Sequence, residues 1–219
     1  MGQEIDLLVN YPKTKRDAKA RGAGKTEEDR AIARCFGREF FDGDRRHGYG
    51  GYNYHPRFWQ PVIPTFQKHF GLTTTKSVLD VGCGKGFMLH DMATMIPGIT
   101  LKGIDISEYA IRNAIEDMKP HVQVANAVSL PFADHSFDVV ISITTVHNLE
   151  RAECGKALQE IERVGRGKAF ITVDAYRNDE EKELMKAWNL TAKTVMHVDG
   201  WKDFFKEVNY TGDYYWFIP

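Results

Sequence analysis

A glycine-rich turn that follows a short apolar run constrains the fold of this chain more than any other segment. Residues 77–81 read Ser-Val-Leu-Asp-Val, and Gly82, Gly84 and Gly86 then recur at every second position before an apolar stretch from Phe87. Glycine permits positive φ angles and lets the backbone approach a ligand without a Cβ in the way. A helix starting at Phe87 would point its free N–H groups at that ligand. The segment therefore predicts a strand, a ligand-binding turn and a helix in series.

Several kinds of nucleotide site use such turns, and the spacing of residues tests two of them here. A P-loop requires Ser or Thr after its lysine, but Lys85 is followed by Gly86. The dinucleotide fingerprint Gly-x-Gly-x-x-Gly needs a third glycine where Phe87 stands, which weakens that interpretation. A second acid, Asp105, follows at the expected end of the next strand. A carboxylate in that place can accept both hydroxyls of a ribose.

Short apolar runs alternate with amphipathic stretches from Ser77 onward, which predicts an α/β fold with a mostly parallel twisted sheet and helices on both faces. The predicted strands are 77–81, 101–106, 122–124, 137–144, 169–173 and 214–218. The predicted helices of this region are 87–96, 108–118, 152–164, 179–190 and 201–208. Upstream, helical spacing of apolar residues covers 28–41, and a helix resumes over 66–70.

Several motifs in the same order resemble those of the class I S-adenosylmethionine (SAM) dependent methyltransferases. The pattern Asp80-x-Gly-x-Gly-x-Gly86 is similar to the first motif of that family, and Gly-Ile-Asp-Ile-Ser at 103–107 is similar to the second. Ala-Asn-Ala at 125–127 and Ser-Phe-Asp-Val-Val at 136–140 resemble the third and fourth. The resemblance spans roughly residues 77–176. It implies a Rossmann-like methyltransferase fold and SAM as the cofactor.

The resemblance also implies which residues hold the cofactor. Asp105 would bind the ribose, Ile106 would pack on adenine, and the Ala127 N–H would meet a ring nitrogen. Asn126 stands where the family usually has an aspartate, and it retains an acceptor oxygen for the adenine amino group. The implied set is Asp80, Gly82, Cys83, Gly84, Gly86, Asp105, Ile106, Asn126, Ala127 and Ser142.

One departure from the family concerns the end of the sheet. The family sheet ends in an antiparallel hairpin of a sixth and a seventh strand, whereas this chain ends soon after its terminal apolar run at 214–218. Either residues 193–198 supply an earlier strand or one edge strand is missing.

Candidate catalytic residues follow the fourth and fifth predicted strands, at the edge where open α/β sheets bind ligands. His147 has a pKa range suited to a general base, Asp174 supplies an acid, and Tyr176 can donate to or orient an acceptor. Each has a structural alternative. The alternative for His147 is a buried or helix-capping histidine, and the alternative for Asp174 is an acid at a helix N-terminus. The alternative for Tyr176 is a ring packed over the sheet edge.

An aromatic and glycine-rich segment at 47–59 precedes the core and predicts a lid over the cofactor. Tyrosine rings attract a sulfonium by cation–π interaction, and an arginine pairs with a carboxylate in bidentate fashion. The alternative is that these rings only pack an arm onto the domain. We therefore predict an arm and lid over 1–70, which is not independent, and a SAM-binding domain over 71–219. The lid candidates are Tyr49, Tyr52, Tyr54, Arg57 and Trp59.

The composition of the chain limits the classes of binding partner that we expect. The 29 basic and 30 acidic residues leave a net charge of −1, so nucleic acid and anionic membranes are not expected. The three cysteines and eight histidines show no metal-ligand spacing, and no stretch is apolar enough to span a membrane. Aromatic residues make up 12% of the chain and concentrate in 36–70 and 201–217. We expect a cytoplasmic protein of small-molecule metabolism without a metal, whose acceptor pocket is aromatic.

The main functional hypothesis is a SAM-dependent methyltransferase acting on an oxygen or nitrogen of a small molecule. One alternative is an enzyme that consumes SAM without methylation, as in azetidine-2-carboxylate synthesis with release of methylthioadenosine. A non-catalytic SAM-binding protein is another, and Phe87 disfavours an NAD-dependent oxidoreductase. The sequence leaves open the acceptor, the carbon of SAM that is attacked, and the oligomeric state, for which a homodimer is one option.

Overall fold

A parallel sheet forms the centre of the molecule in the computed structural model, which describes residues 2–13, 20, 22, 24–50 and 53–219. Its strands are β1 (Ser77–Val81), β2 (Thr100–Asp105), β3 (Val122–Val124), β4 (Val139–Ile143), β5 (Ala169–Tyr176), β6 (Met196–His197) and β7 (Asp213–Phe217). Strands β3, β2, β1, β4 and β5 lie side by side in that order, and every strand pair in the described residues is parallel. This confirms the predicted α/β class.

Helices connect the strands and cover the sheet. They are α1 (Glu27–Arg34), α2 (Arg38–Asp42), α3 (Ile63–Phe70), α4 (Phe87–Met95), α5 (Glu108–Arg112), α6 (Arg151–Val164), α7 (Asp179–Trp188) and α8 (Val198–Glu207). Two short 3-10 helices cover Glu116–His121 and Val146–Asn148. In the described residues, none of the helices is both long and apolar enough to cross a membrane.

The sheet is buried on both faces because alternate strand residues point to opposite sides. Leu79 and Val81 of β1 pack in one core with α6 and α8. Val78 of the same strand packs in a second core with α3 and α4. Strands buried on both faces read as continuous apolar runs, which is the pattern that predicted the parallel sheet.

The far edge of the sheet differs from the hairpin that the family resemblance implied. Residues Phe170–Asp174 of β5 pair in parallel with β7, and the two-residue strand β6 pairs with the last two residues of β5. Residues 193–198 thus do supply a short strand. The terminal strand is parallel because the chain crosses over through α7 and α8 before it returns to the sheet. The N-terminal segment extends this edge, since the Ile5 N–H donates to the Tyr214 carbonyl (3.0 Å).

The helix predicted over 28–41 is broken into α1 and α2. Phe36 has a positive φ of 47°, and Gly37 is the N-cap of α2. Helical φ and ψ cannot continue through such a residue. The break turns α2 toward the carboxyl edge of the sheet, where the Phe36 carbonyl accepts a hydrogen bond from the Ser107 hydroxyl (2.5 Å).

Candidate active site

The glycine turn joins β1 to α4 and requires glycine at its first position. Gly82 has a φ of +88°, and a Cβ on it would lie 2.1 Å from the hydroxyl oxygen of Thr145. The N–H groups of Gly82 and Cys83 both donate to the Ile104 carbonyl, at 2.8 and 2.9 Å. The turn is thus pinned to the end of β2, and the loop after β4 lies directly against it.

Two buried carboxylates lie beside this turn. Asp105 accepts hydrogen bonds from the Gly84 and Ser107 N–H groups, each at 2.8 Å. Within the described residues, no group donates to the Asp80 carboxylate, although that residue is only 4% exposed. Burial and the nearby charge of Asp105 raise the pKa of Asp80 to about 8. The pair forms an acidic floor that favours a cationic or hydroxyl-bearing ligand.

The neighbouring loops present groups suited to a planar base. Ile106 is 52% exposed, which is unusual for a large apolar residue that directly follows a buried strand. The Asn126 side-chain oxygen accepts from the Val128 N–H at 3.1 Å and so holds the turn after β3. In the part of the chain that is described, the Ala127 N–H has no hydrogen-bond partner. An apolar surface and an unpaired donor therefore lie beside the acidic floor.

His147 and Asp174 form a buried pair in the same cleft. The Asp174 N–H donates to Nδ1 of His147 (3.0 Å), so the ring proton is on Nε2, which lies 3.6 Å from the Asp174 carboxylate. Burial lowers the pKa of His147 to about 3 and raises the pKa of Asp174 to about 7. The imidazole is therefore neutral near pH 7, and Asp174 is the member of the pair that changes protonation there.

The loop after β4 lines the cleft as the family resemblance implied, except at Ser142. The Ser142 hydroxyl donates to the Val81 carbonyl (2.9 Å), is fully buried, and does not line the cleft. Ile143, Thr144 and Thr145 line it instead. Thr144 has a φ of +50°, a strained conformation for a threonine, and its N–H donates to the Thr172 carbonyl (3.0 Å). Nothing in the local sequence predicts a positive φ at a β-branched residue such as Thr144.

The predicted lid residues anchor the arm as well as lining the cleft. The Tyr49 hydroxyl accepts from the Leu190 N–H (2.8 Å), and its ring stacks on Trp188. The Tyr54 hydroxyl donates to the buried Asp91 of α4 (2.7 Å). Arg57 is exposed and lies over the Phe58 ring, and Trp59 packs edge-on against Tyr11. Tyr52 lies outside the described residues.

A second attachment of the arm was not predicted from the sequence. Lys85 of the glycine turn pairs with Asp42 at the end of α2 (2.5 Å). The other oxygen of that carboxylate accepts from the Tyr109 hydroxyl (2.7 Å). A lysine in the turn and acids upstream were visible in the sequence, but nothing local linked them.

Most of the predicted site residues line one cleft of about 1440 Å³. Tyr176 is not among its lining residues, because its ring packs against His197 (5.7 Å between centroids) at the sheet edge. Gly86 lies behind the turn as the N-cap of α4. The predicted residues that line the cleft are Tyr49, Tyr54, Arg57, Trp59, Asp80, Gly82, Cys83, Gly84, Asp105, Ile106, Asn126, Ala127, His147 and Asp174.

Curated relatives share part of the chain. An uncharacterized protein of Haemophilus influenzae is 33% identical over 150 residues, which cover 63% of this chain and 59% of that protein. A tRNA (carboxymethyluridine(34)-5-O)-methyltransferase of Arabidopsis thaliana is 31% identical over 64% of this chain and 33% of its own length. A malonyl-[acyl-carrier protein] O-methyltransferase of Legionella pneumophila is 27% identical over 58% and 45%. The chain thus spans less than two thirds of each relative.

The solved structures agree with the fold. The YcgJ protein of Bacillus subtilis superposes with a TM-score of 0.55 at 21% sequence identity, and the match covers 67% of this chain and 66% of that one. At this identity the likeness concerns the fold alone.

A match to a protein-family model assigns the chain to a family. The model described as a methyltransferase domain matches residues 72–212, which is more than half of the chain and includes strands β1 to β6, whereas β7 begins directly after it. Its span also contains the glycine turn, the acidic floor and the His147–Asp174 pair. The chain therefore belongs to the methyltransferase-domain family, the class I enzymes that use S-adenosylmethionine as their cofactor.

Proposed function

We propose that the protein transfers a methyl group from SAM to an oxygen or nitrogen of a small molecule bound between the sheet edge and the N-terminal arm. One observation carries this proposal. A single cleft contains both the acidic floor at Asp80 and Asp105 and the buried carboxylate of Asp174, whose pKa lies near 7. The proposed cofactor site and the proposed proton acceptor thus share one cleft.

The residues of the floor fit SAM. The undonated carboxylate of Asp80 suits an ammonium group, and Asp105 suits the ribose hydroxyls. The exposed Ile106 side chain and the unpaired Ala127 N–H suit the face and edge of adenine. When bound, SAM supplies an electrophilic methyl group on a sulfonium. The chain has to orient the acceptor and exclude water.

Asp174 is the proposed base. A carboxylate whose pKa is raised toward the working pH accepts a proton more effectively than an ordinary one. His147 is a positioning residue, because its Nδ1 is occupied by the Asp174 N–H and its neutral Nε2–H faces the Asp174 carboxylate. A hydroxyl or ammonium of the acceptor that reaches Asp174 would give up its proton there. Tyr176 has no part in this step, since it lies outside the cleft.

Cleft size and the arm favour a small acceptor. Single-ligand pockets measure about 300–1,000 Å³, so 1440 Å³ leaves space for a second small ligand beside the cofactor. Residues 1–70 act as a lid in this proposal and depend on residues 71–219 for their docking. The net charge of −1 gives little attraction for a polyanion such as tRNA. The two named relatives act on tRNA and on a malonyl-acyl-carrier protein, and only the second has a small acceptor group.

Product analysis tests this proposal. Incubation with SAM and a panel of small hydroxy and amino compounds should yield S-adenosylhomocysteine together with one methylated compound. Asp174→Asn should lower kcat by about 10²–10⁴ with SAM binding retained, while Tyr176→Phe should remain active as the matched control. Methylthioadenosine from SAM alone would show the non-methylating reaction instead. SAM binding without turnover on any acceptor would indicate a non-catalytic binding protein.

A further inference from the structure

Buried acids of the sheet and arginines of the N-terminal arm line the same cleft. Three acids at the carboxyl ends of strands, Asp80, Asp105 and Asp174, are each less than 9% exposed. The N-terminal arm contributes arginines to the same cleft, namely Arg34, Arg45 and Arg57. The acids match a cationic cofactor, whereas the arginines match an anionic group of a ligand in the same cleft.

The Arg45 guanidinium lies against Gly50 of the arm. A Cβ on Gly50 would lie 2.0 Å from a terminal nitrogen of Arg45, and Gly50 has a φ of +97°. Glycine at this position therefore leaves room for the guanidinium. No acid of the described residues pairs with Arg45, whereas the adjacent Arg46 pairs with Asp44 (3.3 Å) and does not line the cleft.

Arg34 and Arg57 also have unused donor capacity. The Nε of Arg34 is buried and has no hydrogen-bond partner in the described structure, and a terminal nitrogen of the same guanidinium lies 3.9 Å from a Glu27 carboxylate oxygen, too far for a hydrogen bond. A buried donor without an acceptor is costly and calls for a ligand or a water. Arg57 lies over the Phe58 ring (4.7 Å) and pairs with no described carboxylate.

We propose that the methyl acceptor carries an oxyanion group, a carboxylate or a phosphate, which Arg34, Arg45 and Arg57 bind. The planar guanidinium matches both groups with paired hydrogen bonds. An acceptor held by these arginines would lie in the same cleft as Asp174, the proposed base. This inference rests on the proposed function and specifies the substrate class of that site.

SAM itself carries a carboxylate, so the test has to separate cofactor from acceptor. Protein saturated with S-adenosylhomocysteine, which has the same carboxylate, is titrated by calorimetry with inorganic phosphate and, separately, with acetate. We expect saturable binding of at least one anion, and the one that binds more tightly distinguishes a phosphate from a carboxylate acceptor. Arg45→Gln and Arg57→Gln should each weaken that binding about tenfold or more, because each removes a charge-assisted contact.

Arg46→Gln is the matched control and should bind the anion as the wild type does. Thermal melting of each variant confirms that it is folded. The proposal is overturned when neither anion binds to saturation, or when the Arg45 and Arg57 variants bind as the wild type. It is also overturned when those variants instead weaken the binding of S-adenosylhomocysteine, since the arginines would then bind the cofactor. Failure of S-adenosylhomocysteine to bind would contradict the proposed function, and titration of the ligand-free protein would still test the anion site.

Discussion

The Lys85 ammonium and the Asp42 carboxylate lie 2.5 Å apart and join the glycine turn to the end of α2. The Lys85 side chain is only 9% exposed, so the pair is shielded from solvent on the lysine side. Burial alone would raise the pKa of Asp42, but hydrogen bonds from Lys85 and Tyr109 outweigh it and lower that pKa. The arm is thus attached to the element that would hold the cofactor.

Breaking this ion pair should couple the arm to cofactor binding. Asp42→Asn removes the negative charge that faces the buried Lys85 ammonium, a loss that typically exceeds the loss of an exposed pair. We expect SAM affinity to fall by about tenfold and amide exchange of residues 36–42 to accelerate. Calorimetry and hydrogen exchange measure these effects. Asp44→Asn, which removes an exposed carboxylate two residues away, is the control, and equal effects of the two variants would contradict the coupling.

Cofactor binding should release a proton from Asp80. Its pKa is about 8 in the ligand-free protein, so the carboxyl is largely protonated at pH 7, and a neighbouring cation would lower that pKa. SAM affinity should therefore rise as pH increases from about 6.5 to 8.5. Calorimetry in two buffers of different ionisation enthalpy measures the proton count. Absence of proton release at pH 7 would contradict the placement of a cation beside Asp80.

The same residue should reduce the stability of the ligand-free protein. Asp80 has a pKa of about 8 when folded and near 4 when unfolded. The folded state therefore holds more protons between these values, and stability falls as pH rises through that window. Asp80→Asn should melt at a higher temperature than wild type at pH 8 and at a similar one at pH 4, while binding SAM more weakly. A melting temperature unchanged at pH 8 would show that the carboxylate carries no such cost.

Asp174 should set the pH dependence of turnover. A base works only when ionised, so the rate should rise with pH around the Asp174 pKa of about 7. Asp174→Asn should lower kcat by about 10²–10⁴ and abolish this rise. His147→Gln should shift the midpoint of the profile while retaining activity, as expected for a positioning residue. Pre-steady-state rates between pH 5.5 and about 9 provide the profile, and a wild-type profile independent of pH would exclude Asp174 as the base.

Tyr49 should contribute to stability through its hydroxyl. That oxygen accepts the N–H groups of Leu190 and Thr191 at 2.8 and 3.3 Å, and Tyr49→Phe would leave both without it. We expect a loss of about 1–3 kcal/mol, or a fall in Tm of several degrees. Tyr215→Phe is the control, because no described residue bonds its hydroxyl. Equal melting temperatures of the two variants would contradict an anchoring role.

Local patterns predicted the core of the fold closely. The bounds of β1 and β3 match the predicted 77–81 and 122–124, and α6 begins one residue before its predicted start. Continuous apolar runs and glycine stops mark these elements whatever their partners are. The prediction of one continuous helix over 28–41 was wrong, because Phe36 has a positive φ that interrupts the helix and its carbonyl accepts a hydrogen bond from the distant Ser107 hydroxyl.

The site was predicted less completely, because several roles depend on distant residues. The aromatic residues of 201–217 were interpreted as an acceptor pocket, but Trp201, Phe205 and Tyr214 are buried in the core against α6 and the sheet. Only the terminal part of that region, from Tyr215 onward, lines the cleft. Composition alone cannot distinguish a ring that packs a core from one that faces a ligand. Arg34 and Arg45 were overlooked because nothing local in the sequence distinguishes them from the other arginines of the N-terminal arm.

The most direct test of the account is calorimetric titration of the wild type and of Gly82→Ala with SAM. A Cβ on Gly82 would meet the Thr145 hydroxyl at 2.1 Å and would require a strained φ of +88°. We predict saturable binding of one SAM by the wild type and a loss of at least about 100-fold in the variant, with circular dichroism showing a folded protein. Wild type that fails to bind SAM, or a folded Gly82→Ala that binds it equally well, would contradict the placement of the cofactor at this turn.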